Sequence, residues 1–79
     1  MSHHIKKSGH LEFHYGYDEQ VGEYWYKVFD RTRKQINNGL VEQAGSKTNS
    51  MPPLVLAEKL KQFGADEEHI RRVLWMRKI

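Results

Sequence analysis

The sequence predicts an α+β domain: a small antiparallel sheet of two or three strands, opened by an N-terminal hairpin, then a C-terminal helical hairpin packed on one face. Three observations predict it. Apolar residues alternate at period two from Leu11 to Tyr17. A second run rich in β-formers, Glu23 to Asp30 (EYWYKVFD), follows a short connection ending in glycine. The last third has helical apolar spacing, interrupted once by Gly64. The stretch Phe13–Phe29 holds seven of the chain's nine aromatic residues, so any core or sticky surface must be built around it.

Residues 1–9 are polar, with Ser8-Gly9 as a hinge, and read as a flexible arm; residues 10–79 read as a single domain. The first strand carries Leu11, Phe13, Tyr15 and Tyr17 on one side, with Glu12, His14 and Gly16 between them. Asp18–Gly22 forms the hairpin connection. Opposing Tyr17 to Tyr24 aligns Tyr15 with Tyr26 and Phe13 with Val28. Five aromatics and a valine then share one face, whereas a one-residue slip sets Lys27 beside Phe13. The same register sends Glu12, His14, Gly16, Trp25, Lys27 and Phe29 to the other face, with the indole of Trp25 across Gly16.

Arg31–Ile36 (RTRKQI) reads either as an extension of the second strand or as a helical turn. Asn37-Asn38-Gly39 is a turn signal. Leu40–Ala44 reads as a short third strand ending at Gly45, with a meander of Lys34–Ile36 and Leu40–Gln43 as the alternative. Ser46–Ser50 is loop. The Pro52-Pro53 pair marks a helix start. Leu54, Ala57, Leu60 and Phe63 or Gly64 form its apolar stripe, with Lys59 and Lys61 outward. Gly64 stops this helix and Asp66 caps the next, where Ile70, Val73, Leu74 and Arg77 make the stripe. Trp75 lies off that stripe and is assigned to packing.

Composition excludes several functions. The chain has no cysteine, so disulfides, thiolate zinc sites and thiol catalysis are out. No apolar run approaches the roughly 18 residues that span a bilayer, and the expectation is a cytoplasmic protein with no membrane partner. His10 and His14 would stand roughly 13 Å apart on a strand, too far to share a metal. Asp18-Glu19 and Glu67-Glu68 sit at a loop tip and a helix cap, open to water, and no serine lies in a nucleophile motif. No enzyme, metal or cofactor is expected. Two helices joined at a tight turn invite comparison with a DNA reader, but the start of the second helix is acidic where phosphates would approach.

The sequence therefore points to a non-catalytic protein-binding or regulatory module, a small adaptor or inhibitor whose partner is a protein or a second copy of itself. Its candidate docking residues are Trp25, Phe29, Lys27 and His14 on the outer face, with Arg31, Arg33 and Lys34 beside them. The alternative is a single-stranded nucleic-acid binder using the same aromatic and basic surface.

Overall fold

A computed structural model describes residues 2–33, 35, 37–45 and 51–79. Its order is β1 (His4–Ser8), β2 (Leu11–Asp18), β3 (Glu23–Asp30), β4 (Leu40–Gly45), α1 (Pro53–Gln62) and α2 (Glu67–Leu74). The four strands form one antiparallel sheet in chain order, β1-β2-β3-β4. This is the predicted class with one correction: the sheet has four strands, not two or three. The extra strand is β1, formed by residues assigned from sequence to an arm. Its pairing with β2 runs from His4↔Tyr15 to Ser8↔Leu11. Backbone groups make that pairing; the sequence HIKKS offers no alternating apolar signal, and lysines suit a strand at a sheet edge.

The hairpin register is the predicted one, with Phe13↔Val28, Tyr15↔Tyr26, Gly16↔Trp25 and Tyr17↔Tyr24. Arg31–Arg33 makes a single helical turn rather than extending β3. In β4, Val28 faces Glu42 and Phe29 faces Leu40, so Val41 is the extra residue of a bulge. Of the alternative meander's first segment, Lys34 and Ile36 lie outside the described residues and Gln35 stands in a turn; the loop Ser46–Ser50 also lies outside them.

The helices cover the face that carries Phe13, Tyr15, Tyr24, Tyr26 and Val28. Leu56, Ala57, Leu60 and Val73 close over these side chains with no measurable exposure. The Phe13 ring stacks on Phe63 at 4.7 Å. The α1 stripe is therefore Leu56, Ala57 and Leu60; Leu54, expected inside, is 59% exposed. Lys59 is not simply outward either: its ammonium pairs with Glu42 at 2.9 Å and lies over the Tyr26 ring.

Both helix ends use the same device. Gly64 N–H donates to Lys61 and Ala65 N–H to Leu60; Met76 N–H donates to Val73 and Arg77 N–H to Arg72. Each pattern satisfies the last carbonyls and needs a left-handed residue, Gly64 at φ 66° and Met76 at φ 57°. The Asp66 carboxylate accepts from Glu68 N–H at 2.8 Å, the expected cap of α2.

Candidate functional site: the outer face of the sheet

The face away from the helices is built by the residues that alternate with the core set. Antiparallel pairing puts Ile5 beside His14, His14 beside Lys27 and Lys27 beside Gln43. One row further along, Gly16, Trp25 and Gly45 lie side by side. Gly16 leaves room both for the backbone of Ser2 and for the indole across β2: a Cβ there would stand 2.0 Å from the Ser2 carbonyl oxygen and 3.0 Å from the indole ring. The backbone of Ser2 bonds to that of Tyr17, which carries His3 over the same spot. The His3 ring meets Trp25 edge-on at 5.3 Å.

Trp25 thus points away from the helices as predicted, but it is only 8% exposed. Residues 2 and 3 supply the cover. Its indole N–H has no hydrogen-bond partner among the described residues. Phe29 is half-buried and meets His14 edge-on at 4.8 Å. Lys27 is exposed. The Arg31 guanidinium is spent on the Gly9 carbonyl in the β1–β2 turn. Arg33 pairs with Asp30 at 3.7 Å. Lys34 lies outside the described residues. His14, Phe29 and Arg31 do come together, lining a shallow groove of about 260 Å³ with Glu12, Asp30 and Asn38. Trp25 and Lys27 belong to the neighbouring part of the face.

Sequence reasoning missed His3, Glu12 and Ile5. His14 Nε2–H donates to Glu12 at 3.1 Å, which leaves His14 Nδ1 to accept from His3 Nε2–H at 2.8 Å. The hydrogen bond from His14 holds the Glu12 carboxyl below its ordinary range. No spacing rule predicts this relay, because it depends on β1 folding back along β2. Asp30, a buried residue lining the same groove, accepts from Thr32 N–H and Oγ1–H, which depress its pKa more than His10 and Arg33 do.

A second histidine contact clamps β1 from the opposite face. The His4 ring lies 4.3 Å from His69 on α2, and His69 Nδ1 is 2.6 Å from the Tyr15 hydroxyl. Burial pushes the Tyr15 pKa up, so the hydroxyl donates and Nδ1 accepts, which requires a neutral ring. Burial, then His4, depresses the His69 pKa, against the opposing pull of Asp66 and Glu68. Burial, then His14, His4 and Lys27, depresses that of His3. Both histidines thus titrate below their usual 6.5 in the folded chain. Between the two values the unfolded chain binds more protons, so stability rises with pH there. It is fully present above about pH 6.5 and is lost as pH falls toward the depressed values. A lower urea midpoint at about pH 5 than at about pH 7.5, with β1 amides losing exchange protection first, is the expected result. The double variant His3→Gln, His69→Gln should flatten this dependence, and a profile unchanged by it would contradict the assignment.

Among the described residues, no group of three or more histidines and carboxylates is placed to hold a metal ion, and no helix is long and apolar enough to cross a membrane. Compared with known proteins, the chain matches no family model, no curated protein and no solved structure.

Proposed function

We propose that this chain is a non-catalytic protein-binding or regulatory module that docks through the outer face of its sheet, with a second copy of itself as the occupant. One observation carries the reading. The helices cover one face of the sheet, while the other carries Ile5 at 53% exposure, paired with His14, whose ring in turn meets half-buried Phe29. The small size of the domain favours association. The face also bears both signs of charge, Lys7 and Lys27 against Glu12, so a copy rotated by a half-turn can match it. The lack of cysteine suits a reducing cytoplasm, where the reading places the chain.

Base stacking on this face is the weaker reading. A stacking platform must offer an open ring, and Trp25 is nearly covered while Phe29 is set edge-on to His14. Ile5→Asp is the discriminating variant, because an exposed edge-strand side chain can be replaced without opening the core. Sedimentation of the wild type at micromolar concentrations is expected to give a dimer, and Ile5→Asp a folded monomer. A wild type that stays monomeric, or a dimer indifferent to Ile5→Asp, removes the self-docking reading. Oligonucleotide binding abolished by Lys27→Glu would transfer the face to nucleic acid.

A further inference from the structure

The sequence pattern assigned Trp75 to packing. In the fold it is 75% exposed, at the point where the chain leaves α2. Helical spacing sets Glu68, Arg71, Arg72 and Trp75 along one side of α2, away from buried Val73. Arg77 and Lys78 follow directly, and the six side chains line one open groove of about 510 Å³. The groove's lining sets four cations against one carboxylate; counting Glu19, which reaches Lys78 from the β2–β3 connection, the corner still stands at +2. The existing ion pairs are exposed: Arg72 Nε–H donates to Glu68 at 3.2 Å, and the longer pairs are Arg71 with Glu68 at 3.9 Å and Lys78 with Glu19 at 3.8 Å. Pairs of this kind are weak and yield readily to a stronger anion. Arg77 makes no ion pair among the described residues.

From this we infer that the C-terminal end of α2 is a binding site for single-stranded nucleic acid, with a base stacked on Trp75 and backbone phosphates held by Arg71, Arg72, Arg77 and Lys78. The chemistry is complementary on both counts: an open indole gives a base its stacking partner, and guanidinium groups bind phosphate through paired N–H donors. An anionic lipid surface fits less well, because insertion needs a continuous apolar face. Among the described residues, Trp75 is the only apolar side chain lining this groove; the neighbouring Met76 opens instead onto a separate one, with Tyr17, Tyr24, Pro52 and Pro53. The site is independent of the docking face proposed above.

The test is fluorescence anisotropy of a labelled oligothymidylate of about eight nucleotides with the full chain. Binding is expected to weaken roughly 20-fold between about 50 and 200 mM salt, as neutralising three phosphates of a single strand requires. Trp75→Ala should weaken it on the order of tenfold. Arg71→Gln with Arg77→Gln should weaken it and flatten the salt dependence. All three side chains are exposed, so these variants are expected to keep the parent urea midpoint. No binding at low salt overturns the proposal. So does binding indifferent to Trp75→Ala, loss confined to Lys27→Glu, displacement by polyglutamate at equal charge concentration, or binding to anionic vesicles alone.

Discussion

Phe13→Ala is expected to cost the domain about 3–5 kcal/mol, the usual range for removing a fully enclosed aromatic ring. Phe13 has no exposed surface, stacks on Phe63 at the C-cap of α1, and meets Tyr15 and Tyr26 at 5.1 and 5.8 Å within the sheet. It is therefore the ring that joins sheet to helical hairpin, and neither layer can collapse into its space without leaving the other. A domain this small holds a total stability on the order of 5–15 kcal/mol, so the variant sits near the edge of folding. Urea titration should show the midpoint falling steeply with little change in slope. A loss under about 1 kcal/mol would mean that the hairpin does not close over this face.

Gly45→Ala is expected to cost about 2–4 kcal/mol, from two sources. The residue has φ 84°, a conformation that side chains rarely adopt. An added Cβ would also stand 2.1 Å from the Tyr24 carbonyl oxygen and 2.9 Å from the Trp25 Cα. These are backbone atoms of β3, so relief requires β4 to leave the ladder. Gly64→Ala separates the two sources. Its φ is 66°, but nothing lies within 4 Å of the added atom, so only the conformational cost of about 1 kcal/mol remains. Equal losses at the two positions would show that β4 does not press on β3 as described.

The hairpin was legible because its apolar residues agree on a face: the alignment that opposes Tyr17 to Tyr24 puts Phe13, Tyr15 and Tyr17 on one side with Tyr24, Tyr26 and Val28, and a one-residue slip separates them. The helix limits were legible through Pro53, Gly64 and Asp66, each of which has a local backbone reason to stand where it does. What could not be read was set by contacts distant in sequence. β1 is recruited by backbone pairing with β2, and its own side chains carry no signal of it. The same omission left Trp25 looking open, since Ser2 and His3 are what cover it. Leu54 fits the helical stripe as well as Leu56 does in sequence, and only the angle at which α1 meets the sheet selects Leu56. Trp75 is released because it is the C-cap: α2 ends at Leu74 and the left-handed turn at Met76 takes the chain away.

The strand order has a kinetic consequence. Each strand lies next to its predecessor in the chain, so the sheet grows by successive hairpin closures and no crossover must be threaded. The β1–β2 and β2–β3 closures span only a few residues, and the entropy lost in joining their ends is small. Low contact order of this sort favours rapid folding. The aromatic hairpin is the natural nucleus, with the helices condensing on it once its inner face is assembled.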